Sequence, residues 1–124
     1  MKQVFLVFIG GGLGSMLRFW ISKIFNNPEN TIPFGTLGVN ILGSFLIGLF
    51  IGLAVKYSSI INTNTLLFLS TGFCGGFTTF SAFAQENYAL LKAGDITNFV
   101  IYTMGSLSVG ILAVVFGFFV VKYI

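Results

Sequence analysis

The sequence predicts an all-α integral membrane protein of four transmembrane helices, the third of them broken near Gly75–Thr78. Three observations carry that expectation. Hydrophobic residues make up 56% of the 124 and charged residues only 7%, against about 25% charge in a water-soluble domain. The mean hydropathy is +0.99, and the apolar residues fall into four runs close to the ~20 residues that cross a bilayer. Residues 72–83, Gly-Phe-Cys-Gly-Gly-Phe-Thr-Thr-Phe-Ser-Ala-Phe, set helix breakers, hydroxyls and aromatic rings inside one of those runs.

The first span, 4–22, follows Lys2 and contains Gly10-Gly11-Gly12 and Arg18. A charged residue before an apolar run resembles a signal peptide, but the glycines, the arginine and the lack of a small-x-small cleavage pattern favour a retained span. The connection from Lys23 to Pro33 holds the turn formers Asn26-Asn27-Pro28-Glu29-Asn30, and the second span covers 34–55. Ser58-Ser59 and Asn62-Thr63-Asn64 mark the next connection, before the third span at 66–91. Gly94-Asp95 turns the chain into the fourth span, 98–121. These elements fill the chain as one four-helix transmembrane domain, 1–124, with no room for a soluble one.

Charge placement bears on how the chain inserts, because Lys and Arg near span ends normally collect on the cytoplasmic side. Here Lys2, Lys56 and Lys122 lie on the side of both termini, and Arg18, Lys23 and Lys92 lie on the other. The balance predicts insertion in both orientations and head-to-tail pairing as an antiparallel, dual-topology homodimer; a fixed topology with weak signals is the alternative. Small residues at fourfold spacing, Gly10 and Gly14, Ser44, Gly48 and Gly52, and Ser106 and Gly110, give faces where backbones approach closely, either within one subunit or between two. The pI of 9.3 reflects six basic against three acidic residues, too scattered for a nucleic-acid surface.

Enzymatic chemistry has little to work with. There is no His, Cys74 is the one cysteine, and the acids are Glu29, Glu86 and Asp95. These assemble neither a nucleophile–base pair nor a metal cluster. Gly10-x-Gly12 fails as a dinucleotide fingerprint, because Ser15 stands where its third glycine belongs and no strand precedes it.

The spans do carry hydrogen-bonding side chains at membrane depth. Thr36 and Asn40 lie one turn apart on the second span, Thr78, Thr79 and Ser81 follow the glycine break, and Tyr102 and Ser106 lie one turn apart on the fourth span. Polar side chains in spans face the bundle interior or a water-filled cavity. A single Ser or Thr often bonds only its own backbone, but an Asn with matching positions on three spans favours a track. A Gly75-Gly76 break at membrane depth is tolerated where backbone is buried in protein or lines such a cavity, which points to an ion or substrate site. Phe80 and Phe83, three apart, share a helix face. Phe in a span is usually plain packing, yet ring edges carry the positive part of the quadrupole and offer an anion weak stabilisation without a trapping charge.

Gly75-Gly76-Phe77-Thr78-Thr79-Phe80-Ser81-Ala82-Phe83, with Gly35-Thr36-Leu37-Gly38-Val39-Asn40 upstream and Gly11 to Arg18 in the first span, closely resembles the Fluc (CrcB) fluoride channels of microorganisms. The resemblance covers essentially the whole chain. It implies a dual-topology homodimer in the plasma (cell inner) membrane with two fluoride pores, passive fluoride export, and a central structural sodium ion. It further implies that Asn40, Phe80 and Phe83, with Thr79 and Ser81, line the fluoride path. Thr36, Glu86, Tyr102 and Ser106 match the polar track, Arg18 a basic residue near the vestibule, and Gly75 and Thr78 the sodium-ligating carbonyls. Gly110 departs from the family pattern, where a further hydroxyl follows one turn beyond Ser106, and leaves that end of the track to water or backbone. Ala82 stands where Thr is commoner.

A dual-topology multidrug exporter is the main alternative. It requires a membrane-embedded carboxylate, typically in the first span, and this first span has none. A scaffold subunit without transport activity would account for the small-residue faces but not for the polar track or the break.

Overall fold

The computed structural model describes residues 1–124 and is all-helical. Helix α1 spans Lys2–Phe25 and α2 spans Phe34–Lys56. The third span starts as α3, Thr63–Leu66, widens into a π-helical stretch, Leu67–Cys74, and returns to helix in α4, Gly75–Phe77. After an interruption at Thr78 and Thr79 it resumes as α5, Phe80–Lys92, and α6 covers Ile96–Val120. Four helical units are long and apolar enough to cross a membrane: Lys2–Phe25, Phe34–Lys56, Thr63–Lys92 and Ile96–Tyr123. The 24 residues of α1 rise about 36 Å, enough for a hydrocarbon core of about 30 Å. The protein is therefore a multi-pass membrane protein.

Where the helices start and stop follows from local chemistry. Asn62 caps α3 by accepting the Thr65 N–H at 3.0 Å. Thr79 caps α5 by accepting the Ala82 N–H at 3.2 Å, and Asp95 caps α6 by accepting the Asn98 N–H at 3.1 Å. Each gives a partner to one of the four N–H groups that a helix start leaves free. At the end of α5, Gly94 adopts a left-handed φ of 74°. That geometry lets the Asp95 N–H reach the Leu90 carbonyl and the Gly94 N–H reach the Leu91 carbonyl, the paired bonds of a Schellman stop. The Gly94-Asp95 dipeptide thus closes one helix and opens the next.

The break falls later than the glycines. Gly75 has helical angles, φ −62° and ψ −38°, and Gly76 lies within α4. Thr78 and Thr79 are the extended residues, with ψ of 160° and 120°. The glycines serve packing instead. A Cβ on Gly76 would strike the Gly11 carbonyl of α1.

Glycine contacts decide how the spans meet. A Cβ on Gly14 would strike the Phe73 carbonyl, and one on Gly10 would stand 2.6 Å from the Phe68 carbonyl oxygen, so α1 packs backbone to backbone on the π-helical stretch. Between α2 and α6 the same happens in both directions. Gly48 faces the Val114 carbonyl and Gly117 faces the Phe45 carbonyl, each with no space for a side chain. The faces of Gly10 and Gly14 and of Gly48 and Gly52 are therefore used within the chain. Only 17 of 124 residues are buried, so most large apolar side chains point outward, as suits a hydrocarbon solvent.

The Asp95 cap makes stability depend on pH. Hydrogen bonds from the Asn98 side chain and main chain hold the Asp95 carboxyl below the usual carboxylate range. With the folded-state pKa depressed, the cap's contribution is present above the unfolded-state value and is lost as pH falls through the folded one. Asp95→Ala is expected to lower the melting temperature in detergent at neutral pH, by an amount that shrinks as the solution is acidified. Equal melting temperatures at neutral pH would contradict the cap.

Candidate functional site

A cavity of about 560 Å³ lies where α2, the broken third span and α6 meet, and its lining includes Asn40, Ser44, Gly75, Thr78, Thr79, Phe80, Phe83 and Ser106. Asn40 and the break both line it. The Thr79 N–H donates to Asn40 Oδ1 at 2.7 Å, and Asn40 Nδ2 donates to the Thr79 carbonyl at 3.0 Å. A main-chain N–H can only donate, so the orientation of the Asn40 amide is fixed. The side chain of α2 thereby supplies to Thr79 what a continuous helix would supply, and it leaves one Nδ2 hydrogen unspent.

The other hydroxyls around the break divide by use. Thr78 Oγ1 donates back to the Cys74 carbonyl at 2.9 Å, the ordinary fate of a Thr in a span. Thr79 Oγ1 is the α5 cap and lies 3.3 Å from Ser81 Oγ. Ser106 Oγ is buried with no hydrogen-bond partner in the chain. An unpaired buried hydroxyl costs about 1–3 kcal/mol, and Ser106 is the residue whose buried side-chain oxygen the chain leaves without a partner.

Phe80 and Phe83 are neighbours, with ring centroids 6.0 Å apart and planes inclined by 45°. Their surroundings differ: Phe83 is 9% exposed and Phe80 is 78% exposed. Phe83 also leans on Tyr102, centroid to centroid 5.2 Å. The cavity wall thus runs from a ring anchored against α6 to a ring that is mostly exposed.

Behind Phe83 sits a second polar cluster. Thr36, 1% exposed, donates its hydroxyl to Glu86 Oε1 at 2.6 Å, and the Tyr102 hydroxyl donates to Glu86 Oε2 at 2.7 Å. The structure therefore joins Thr36, Glu86 and Tyr102 by hydrogen bonds, whereas Ser106, one turn beyond Tyr102 on α6, makes none with them and lines the cavity. The hydroxyls of Thr36 and Tyr102 are committed to the carboxylate. Arg18 lies elsewhere: its Nε donates to the Gly76 carbonyl at 3.0 Å, with Ser15 Oγ donating to the same oxygen at 3.3 Å. It holds the C-terminal end of α4, where helix carbonyls lose their partners.

Two groups of residues escape the sequence reading. Asn26, in the first connection, bonds Thr36 through both of its amide atoms. Asn87, buried at 6% exposure, donates to the Phe83 carbonyl at 3.0 Å and accepts the Thr103 hydroxyl at 2.8 Å, pinning the Phe83 turn to α6. Its place one turn beyond Phe83 was the available signal.

Replacing Asn40 with Ala should remove both partners of Thr79. Leaving such groups unpaired away from water costs about 1–3 kcal/mol. Hydrogen exchange of the Thr79 amide should accelerate by roughly tenfold or more, while the amides of α1 stay protected. Unchanged Thr79 protection would show that Asn40 does not hold the break.

The chain is similar to known proteins along most of its length. The family model described as "CrcB-like protein, Camphor Resistance (CrcB)" matches residues 5–118. The chain is 41% identical over 124 residues to a protein of Azobacteroides pseudotrichonymphae named fluoride-specific ion channel FluC, covering 99% of this chain and 98% of that one. It is 45% identical over 118 residues to the Phocaeicola vulgatus protein of the same name, covering 94% and 96% of the two chains. A Gloeothece citriformis protein, also so named, is 46% identical over 123 residues, covering 98% of each.

Proposed function

The chain belongs to the CrcB-like family, a family of ion channels and not of enzymes, and from that premise we propose that it conducts fluoride selectively and passively out of the cell across the plasma (cell inner) membrane. The observation that carries the reading is the cavity itself. It presents an unspent Asn40 amide hydrogen, an unpartnered Ser106 hydroxyl and two phenylalanine rings, and its lining residues include no Lys or Arg.

Fluoride is small and strongly hydrated, so a pore must replace several waters at once. Neutral donors and ring edges do so without the deep well of a full positive charge, and a narrow set of them rewards the smaller anion. Phe80 and Phe83 contact the ion through their edges, with Asn40, Thr79, Ser81 and Ser106 as donors. Thr36, Glu86 and Tyr102 continue the track behind Phe83. The direction of flow follows from chemistry outside the protein: hydrogen fluoride enters as a neutral molecule from acidic surroundings, ionises inside, and leaves as an anion down the membrane potential. A proton-coupled multidrug exporter fits less well. α1 has no acid, and the carboxylate of Glu86 already accepts two hydroxyls.

The working unit in this proposal is an antiparallel homodimer with two pores and one structural sodium ion. Two main-chain features support the ion. The Thr79 N–H, the helical donor for the Gly75 carbonyl, goes to Asn40 instead, and the Thr78 carbonyl accepts no hydrogen bond within the chain. Free carbonyls are hard oxygen ligands suited to an alkali cation. Gly75 and Thr78 of two subunits would hold it, and its charge would lower the cost of a nearby anion.

Proteoliposomes loaded with fluoride test the channel reading. Wild-type protein should release fluoride far faster than chloride, and Phe80→Ile and Phe83→Ile, which keep apolar bulk but remove the quadrupole, should each reduce fluoride release at least tenfold with the dimer intact. Normal release in both variants would remove the rings from the mechanism.

The sodium site is tested separately. A bulky residue at Gly75 should disable fluoride release altogether, whereas Thr78→Ser, which keeps the main chain, should be mild. The reverse pattern would mean that side chains and not carbonyls matter there.

A further inference from the structure

Asn26 ends the first span, its N–H bonded to the Ser22 carbonyl, and its side chain reaches the polar cluster without belonging to the cavity. It meets Thr36 twice. The Thr36 N–H donates to Asn26 Oδ1 at 3.1 Å, and Asn26 Nδ2 donates to Thr36 Oγ1 at 3.1 Å. Because a main-chain N–H can only donate, the amide oxygen must face it, and the amide nitrogen must then face the hydroxyl. The Thr36 oxygen therefore already accepts a hydrogen from Asn26. Its own single proton is left for Glu86 Oε1, 2.6 Å away.

The surroundings are shaped for this contact. A Cβ on Gly35 would stand 2.7 Å from Asn26 Oδ1 and 2.9 Å from the Ser22 Cα. Gly35 leaves the space that the Asn26 amide occupies, and the next residue along is the one that the amide grips.

We infer that Asn26 is a positioning residue of the conduction path: by filling the acceptor side of the Thr36 hydroxyl, its amide leaves the Thr36 proton for Glu86, the carboxylate that Tyr102 also bonds. The inference rests on the channel reading given above for its functional consequence, though not for its geometry. With Asn26 in place, turning the Thr36 proton toward any other acceptor forfeits its bond to the carboxylate. With an acceptor in place of the Nδ2 group, the proton has a competing target in the new side chain.

Asn26→Asp makes that change at nearly constant shape, keeping the acceptor for the Thr36 N–H. Thr36→Val removes the hydroxyl, and the double variant separates the orienting effect from the added charge. In protein carrying Glu29→Gln, where Glu86 is the one glutamate, infrared spectra with 13C-labelled glutamate read the hydrogen bonding of the Glu86 carboxylate whether or not ions flow. Both single variants should shift the labelled carboxylate band in the same direction, and Asn26→Asp should add no shift in the Thr36→Val background. Gly35→Ala, which crowds the amide without altering it, should shift the band likewise. In liposomes, Asn26→Asp should lower fluoride release by roughly tenfold, the loss expected for one hydrogen bond to a charged group, and less in the Thr36→Val background. An unshifted band in Asn26→Asp, or effects of the two substitutions that simply multiply, would overturn the inference. If wild-type protein itself releases no fluoride, the channel reading falls, and the infrared comparison alone decides whether Asn26 orients Thr36.

Discussion

The arrangement depends on one requirement, that the main chain at Thr79 find hydrogen-bond partners where no water is available. A helix interruption inside a hydrocarbon solvent exposes an N–H and a C=O at several kcal/mol each unless protein supplies substitutes. Asn40 supplies both, through one amide. Its grip also directs the Thr79 N–H away from Gly75 and lets the Thr79 hydroxyl start a new helix by capping Ala82. The same contact thus ends α4, begins α5, frees main-chain oxygens on one side and sets Phe80 and Phe83 at the beginning of the next helix.

For one side chain on α2 to make those two bonds, the spans must lie close and in a fixed register. Glycine achieves this on both flanks. Gly76 lets α4 approach the Gly11 carbonyl of α1, and Gly43 leaves space for the Thr78 methyl group beside the break. On the far side of α2, Gly48 and Gly117 let α6 approach backbone to backbone. These contacts trade side-chain burial for close approach, which suits a membrane, where lipid tails give apolar side chains little reason to prefer one another. The polar contacts then select a single register among those that close approach permits.

Much of this was legible in the sequence because composition and period depend on nearby residues only. Four apolar runs separated by turn formers give four spans, and the connection at Gly94-Asp95 lies where its residue types place it. The position of the break was not legible in the same way. Glycines read as breakers, but Gly75 and Gly76 stay helical, and the chain opens at Thr78 and Thr79 because a residue 39 positions away makes an extended backbone there affordable. Candidate site residues were visible as types out of place in an apolar span. Which of them meet was not: Thr36 and Asn40 share a helix, yet one turns to Glu86 and the other to Thr79. Asn26 was hidden for a related reason, since an Asn among turn formers reads as punctuation until the fold brings it to Thr36.

The cavity has one finished wall. Phe83 is packed against Tyr102 and Asn40 is fixed on Thr79, and behind Phe83 the hydroxyls of Thr36 and Tyr102 are bound to Glu86, so this side is set by the chain's own contacts. Phe80, by contrast, is 78% exposed, and a Cβ on Gly75 would meet nothing within 4 Å. Gly75 is thus small with no neighbour in its own chain that requires it, unlike Gly10, Gly14, Gly48, Gly76 and Gly117. A pore that excludes chloride needs donors all round the ion, and a wall open on one side cannot dehydrate fluoride. In the proposed inverted dimer a second copy would cover this side, and Phe80 and Gly75 are the open positions it would meet. On that account the requirement for a partner and the selectivity of the pore have the same origin.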